Sequence, residues 1–214
     1  MGMYQKLVSH NSSPILKSKD VPDRGLEKAV IADGIVTLDE ALFQDCQKLC
    51  EIKFPESLTR IRQYAFSGCI SLSEMVIPNT VSALGAGVFW GCSSLKRVVL
   101  PTNTGKIGSR FFYSCTSLQE VVFSQIEEIH MEAFAFCESL EKITLSEGLI
   151  RIGKRAFFGS ASLSEIVIPS SVIRVEEDAF SACCNLQRVK IPKQFKGQIG
   201  SIFGRNDFEK LILI

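Results

Sequence analysis

The chain is poor in the residues and segments that most catalytic and anchoring chemistries need. Net charge is only +1, with 24 basic and 23 acidic residues spread along the sequence. No polybasic field therefore exists to concentrate nucleic acid or anionic lipid, and neither is expected as a partner. No apolar run reaches ten residues, which excludes a helical membrane span. The opening "MGMYQKLVSHNSSP" lacks the continuous apolar segment of a secretion signal. Met1-Gly2 is followed at position 6 by Lys, where myristoylation wants Ser or Thr. Histidine is confined to His10 and His130, so neither a Ser-His-Asp nor a Cys-His arrangement has an obvious base. The 8 cysteines include no C-x-x-C spacing, and metal or redox sites built on Cys46 with Cys50, or Cys183 with Cys184, are disfavoured. "GLIRIGKR" (Gly148 to Arg155) mimics a phosphate loop, but Arg155 stands where Ser or Thr must meet magnesium. No catalytic residue, cofactor or metal is expected. What remains, 214 residues with 46% hydrophobic and 22% charged, is the composition of a globular protein.

What the chain has is repetition. Phe43, Phe66, Phe89, Phe112, Phe134, Phe157 and Phe180 are spaced by 23, 23, 23, 22, 23 and 23 residues. Three residues after each stands Cys46, Cys69, Cys92, Cys115, Cys137, Ser160 or Cys183, and three further on Leu49, Leu72, Leu95, Leu118, Leu140, Leu163 or Leu186. Five before each Phe lies Leu38, Ile61, Leu84, Ile107, Ile129, Ile152 or Val175. After each Leu comes L-x-x-Φ-x-Φ, usually closed by a proline such as Pro55, Pro78, Pro101, Pro169 or Pro192. That alternation makes one short strand per rung, which Pro ends because it has no N–H to pair. Apolar residues three apart in A-F-x-x-C-x-x-L suit one helical or 3₁₀ turn.

No rung of this size can enclose its own Phe, Leu and Ile, so neighbours must stack at about 4.8 Å and bury a continuous column. The expected fold is an α/β repeat: a right-handed solenoid of about eight rungs, with a parallel sheet on one face and short helical or 3₁₀ turns on the other. It occupies residues 26–214, with Leu26, Ala29 and Ile31 in a first strand and Ile212 and Ile214 in a last one, one period after Val189 and Ile191. Residues 1–25 read as an irregular lead-in or N-terminal cap. The cysteine column reads as small buried apolar residues, because Ser160 replaces one member.

The strand pattern L-x-x-Φ-x-Φ-P followed by Φ-x-x-x-A-F-x-x-C-x-x-L, at this period, resembles the BspA-like leucine-rich repeat proteins. The resemblance implies a leucine-rich repeat solenoid of the kind found on bacterial and protozoan surfaces, associated with adhesion and with binding host or matrix proteins. It carries no catalytic residues. A surface or secreted location is what it implies; a cytoplasmic one is the alternative, given unpaired cysteines and no signal segment.

Binding is expected at the outward strand positions. Two after each Leu the column reads Glu51, Glu74, Arg97, Glu120, Lys142, Glu165 and Arg188, alternating in sign from Glu74 as a ladder of cross-rung ion pairs would. Four after each Leu it reads Lys53, Val76, Val99, Val122, Thr144, Val167 and Lys190. Valine is common on strands for steric reasons alone; an apolar stripe flanked by charges also suits a protein or glycan partner. A third candidate is the position after each Phe, where Trp90, Tyr113 and Phe158 interrupt smaller residues, through inter-rung packing or as a patch. Glu176-Glu177 reads as solvated charge at an inter-rung turn. The alternative to a binding module is an intracellular scaffold that self-associates. The apolar "FEKLILI" is expected to be covered at the C-terminal edge, either by further sequence or by a second copy in a homodimer.

Overall fold

In a computed structural model, residues 3–9, 13–204 and 210–214 are described. The chain winds into a parallel β-solenoid of about 9 turns with little helix. Each full rung runs through a longer strand, a two-residue strand and a turn carrying the ladder Phe, as in Glu74–Val76, Ala83–Leu84 and Phe89. We name each rung by that residue.

The Phe column forms the spine. The rings of Phe43, Phe66, Phe89, Phe112, Phe134, Phe157, Phe180 and Phe203 are buried and stack face to face, with centroids 5.0–5.8 Å apart. Each stacked pair adds about 0.5–1.5 kcal/mol beyond its burial. A further buried column lies eight residues before each Phe: Ile35, Leu58, Val81, Thr104, Ile126, Leu149, Val172 and Phe195.

The half-rung expected as a helical or 3₁₀ turn is built differently. Residues two before and two after each Phe from Phe43 to Phe180 have positive φ, as at Tyr64 (57°) and Gly68 (71°), or Arg110 (55°) and Ser114 (57°). These left-handed residues reverse the backbone twice per turn, so alternate N–H groups point at the next rung. Thus Gly87, Phe89 and Gly91 donate to Ser109 O, Phe111 O and Tyr113 O at 2.9, 2.9 and 2.8 Å. Among the described residues, helix and 3₁₀ segments occur only near the two ends, at Ser18–Asp20, Lys193–Gln198 and Ile199–Phe203.

The rungs also carry a second strand that the periodicity does not show. Ile15–Leu16, Thr37–Leu38, Arg60–Ile61 and Ala83–Leu84 form one parallel sheet; Lys106–Ile107, Glu128–Ile129, Arg151–Ile152 and Arg174–Val175 form another. A strand of two residues is too short to show alternation. The pieces before residue 26 extend the array: Gln5–Leu7 pairs with Ala29–Ile31, Ile15–Leu16 pairs with Thr37–Leu38, and Leu7 and Leu16 are buried. The lead-in is therefore not irregular throughout. At the other end Lys210–Leu213 pairs with Arg188–Ile191 so that Leu211 and Leu213, not Ile212 and Ile214, lie opposite Val189 and Ile191. The run Leu-Ile-Leu-Ile satisfies either register, and a one-residue slip exchanges the two faces.

The long strands do not make one sheet. They divide into Gln5–Leu7, Lys28–Ile31 and Glu51–Lys53; then Glu74–Val76, Arg97–Val99 and Glu120–Val122; then Glu165–Val167, Arg188–Ile191 and Lys210–Leu213. Among the described residues, no backbone hydrogen bond joins Lys142–Leu145 to either neighbouring rung. This break follows the one rung that is a residue short, between Phe112 and Phe134. The missing residue shortens the bend from Phe123 to Ile126, and neither Phe123 nor Leu145 is followed by the closing Pro. Val121, Phe123 and Ile143 are consequently half-buried, where their equivalents Val98, Leu100 and Ile166 are buried.

Candidate binding face

The central sheet gathers most of the sequence-derived site residues. Its register sets Glu74 beside Arg97 and Arg97 beside Glu120, with Val76, Val99 and Val122 in a parallel row. Val76 is 62% and Val122 36% exposed, while Met75 and Val98 between them point into the core. The face thus presents an apolar row next to a charged row.

Of the charged row, Arg97 Nε meets Glu120 Oε2 at 2.7 Å. Lys28 Nζ meets Glu51 Oε2 at 2.9 Å, and Tyr4 OH donates to the other Glu51 oxygen. Both Lys28 and Lys53 also approach the Tyr4 ring, at 5.4 and 4.3 Å. Hydrogen bonding from Tyr4 and then Lys28 holds the Glu51 carboxyl below its ordinary range. The N-terminal sheet is in this way covered by its own aromatic and cations, and the central sheet is bare.

Lys142 and Thr144 are not on a strand, and Val167 belongs to the separate C-terminal sheet. The structure therefore does not extend the valine row through them. Instead Glu120, Val122, Lys142 and Thr144 line a cleft of about 310 Å³ where the sheet is interrupted. A second cleft, of about 420 Å³, opens on the short-strand side between Ala83–Leu84 and Lys106–Ile107. There the small, polar Thr104 fills a position that Val81 and Ile126 hold elsewhere.

The cysteine column is buried and unpaired, as read, but it is not merely apolar. From Cys69 onward each thiol of the column donates to the carbonyl of a Phe in an earlier rung, Cys69 to Phe43 O, Cys92 to Phe66 O and Cys115 to Phe89 O at 3.0–3.1 Å, while the Cys46 sulfur accepts from Arg24. Ser160 Oγ makes the same bond to Phe134 O at 2.8 Å, which is why serine is accepted there. Burial pushes these thiols up, Cys183 to about 12, so none is a thiolate nucleophile at neutral pH. Cys50 and Cys184 are exposed.

Glu176 corrects the reading of Glu176-Glu177 as plain solvated charge. Its side chain is 17% exposed and accepts from Arg151 Nη2 at 2.7 Å and the Lys154 N–H at 2.9 Å, with Arg174 Nε at 3.1 Å. Burial opposes ionisation, yet these donors hold the carboxyl below its ordinary range. Glu177, by contrast, is exposed and pairs with Lys154 at 2.6 Å. His130 Nε2 lies 2.9 Å from Glu128 Oε2, and Arg151 Nη1 lies 3.9 Å from the same oxygen. His10 and Asn11 lie outside the described residues. Gly148–Arg155 forms no anion cradle: Arg151–Ile152 is a strand bonded on both sides, and Ile152 is buried. Among the described residues no group of His, Cys, Asp or Glu side chains could hold a metal ion, and no helix is long and apolar enough to cross a membrane.

Trp90, Tyr113 and Phe158 do pack between rungs, and the structure adds Tyr64 and Phe136 to them. The centroid distances along Tyr64, Trp90, Tyr113, Phe136 and Phe158 are 5.8, 5.3, 5.4 and 5.5 Å. The two added residues sit two before and two after their Phe, at left-handed positions. A single-column reading of the repeat passes over them.

Similar architectures are known. A leucine-rich repeat protein from Bacteroides ovatus has 29% sequence identity and a TM-score of 0.70, over 86% of this chain and 54% of its own length. The pneumococcal vaccine antigen PcpA shares the fold, with 22% identity and a TM-score of 0.55, over 78% of this chain and 51% of its own. The chain thus spans about half the length of either. No curated protein matches. Residues 23–137 and 105–213 match the BspA type leucine rich repeat region, in 6 copies. With the Phe spine, the stacked parallel strands and this match over nearly its whole described length, the chain belongs to the BspA type leucine-rich repeat family.

Proposed function

We propose that this is a non-catalytic binding module whose central sheet docks a protein partner across Val76, Val99 and Val122, with Arg97 and Glu120 fixing its orientation. The observation that carries this reading is one unbroken three-strand register in which Val76 and Val122 are exposed and Val99 between them is half-buried, beside a charge row where Arg97 pairs with Glu120. Apolar area rimmed by polar groups is what a protein partner covers, and paired charges contribute orientation more than affinity. The interrupted strand at Lys142–Leu145 widens the face into a cleft beside Val122. A partner met at the cell surface or outside it, such as a host or matrix protein, is the setting that the family suggests.

A second reading, self-association, is supported by Lys210–Leu213, the outer strand of its sheet, with Leu211 41% and Ile214 48% exposed.

The test compares the parent with a variant carrying Val76→Glu, Val99→Glu and Val122→Glu in capture experiments from the native setting. Because these side chains point outward, the variant should keep its thermal midpoint and lose the partner. A partner retained at full affinity would sink the reading. Light scattering of the parent and of Ile212→Lys with Ile214→Lys decides self-association: a concentration-dependent dimer lost in the variant supports it.

A further inference from the structure

The turn side carries a surface that the strand-face reading does not use. Tyr64, Trp90, Tyr113, Phe136 and Phe158 are each half-buried and form one continuous row across five successive rungs. Two glycines seat this row against the backbone. A Cβ on Gly87 (φ 59°) would come within 2.4 Å of the Tyr64 ring, and one on Gly159 (φ 69°) within 2.8 Å of the Phe136 ring. Both rings therefore pack on the backbone of the following rung while staying half-buried.

The charges along the row cancel. Arg110 stacks over Trp90 at 5.5 Å and is paired with Glu132 at 2.6 Å. Arg155 stacks over Phe158 at 5.4 Å and lies 3.7 Å from Asp178. The row thus presents no net field of either sign. The polar tips of Tyr64, Tyr113 and Trp90 are not engaged by any hydrogen bond within the described residues, and the clefts described above lie elsewhere.

We propose that this aromatic row is a binding track for a neutral pyranose-based glycan. A pyranose ring offers a flat C–H face that stacks on an aromatic ring and equatorial hydroxyls that meet Tyr OH, Trp N–H, guanidinium and carboxylate groups around it. Balanced charge beside the rings matches an uncharged, hydroxyl-rich ligand. An acidic polymer would need unpaired cations, and a protein knob would need a pocket that this ridge lacks.

Trp90 is the protein's 1 tryptophan, so its fluorescence reports on the row directly. The parent should show a saturable change in emission on titration with at least one of cellohexaose, chitohexaose and mannohexaose. Tyr113→Ala, its fold checked by circular dichroism, should bind about tenfold more weakly, as expected for a lost stacking contact. Tyr113→Phe should keep most of the affinity. The strand-face variant carrying Val76→Glu, Val99→Glu and Val122→Glu should bind the glycan as the parent does, which separates this proposal from the protein-partner reading. No change with any of the three oligomers would overturn it, as would a response to heparin alone or a Tyr113→Ala variant that binds like the parent.

Discussion

The turn side and the strand side of this solenoid are made from the same rungs, but they are held together in different ways. On the turn side the inter-rung hydrogen bonds run on from Ala41 to Phe180, the Phe rings stack beside them, and each ladder thiol from Cys69 to Cys183 adds a bond to an earlier rung. The ends of this ladder are closed. Arg24 Nη1 donates to Leu42 O and Gln44 O, both at 2.9 Å, in place of the N–H groups a preceding rung would supply. At the far end Asp178 and Phe180 donate to Ser201 O and Ile202 O of the short helix. On the strand side the sheet is broken twice, and among the described residues Lys142 to Leu145 make no backbone bond to a neighbouring rung. The difference teaches that cohesion resides in the turns, which frees the outward strand positions to vary with little cost to the fold.

The sharpest way to break this comparison is to damage each side equally. Phe112→Ala removes a ring stacked between Phe89 and Phe134 at 5.8 and 5.2 Å, and should cost about 3–5 kcal/mol through lost burial and a cavity. Ile143→Ala, at the half-buried seam of the strand side, should cost about 1 kcal/mol or less. Chemical denaturation of both variants checks the order, and equal losses would contradict it. Arg24→Met leaves the first turn's carbonyls to water and should cost about 1–2 kcal/mol, with the N-terminal rungs unfolding before the rest.

A smaller effect concerns acid. Because the Glu176 carboxyl is held below its ordinary range, it stabilises the fold above the unfolded-state value. That contribution is lost as the pH falls through the lowered folded value. Glu176→Gln should therefore lower the thermal midpoint near neutral pH but narrow the gap to the parent at about pH 3. A gap that widened on acidification would show that the Arg151 and Arg174 contacts do not favour the ionised form.

Most of the turn side could be read from sequence, and much of the strand side could not, for physical reasons. Phe, Cys and Leu recur because each must fill the same slot in every rung, so Phe89 and Cys92 announce their environment. The first rung has no such marker, since Asp20 stands one period before Phe43, and its buried Leu7 and Leu16 look like any scattered leucines. "KITL" (Lys142 to Leu145) has the same alternation as "RVVL" (Arg97 to Leu100), yet only the latter pairs on both sides. The cause lies in a neighbouring bend one residue short, which is a property of the stack and not of the segment. The thiol donors are hidden in the sequence because a buried cysteine looks the same there whether or not its proton is used. The candidate valine row was legible as far as Val122; its apparent continuation through Thr144 to Val167 crosses a break that the column of letters does not record.

Native-state hydrogen exchange tests the division of labour most directly. The amides of Phe89, Phe112 and Phe134, each donating to the next rung, should exchange only through global opening, while those of Lys142 to Leu145 should exchange orders of magnitude faster through local fluctuation. Protection at Lys142 to Leu145 equal to that at the ladder Phe residues would contradict the account.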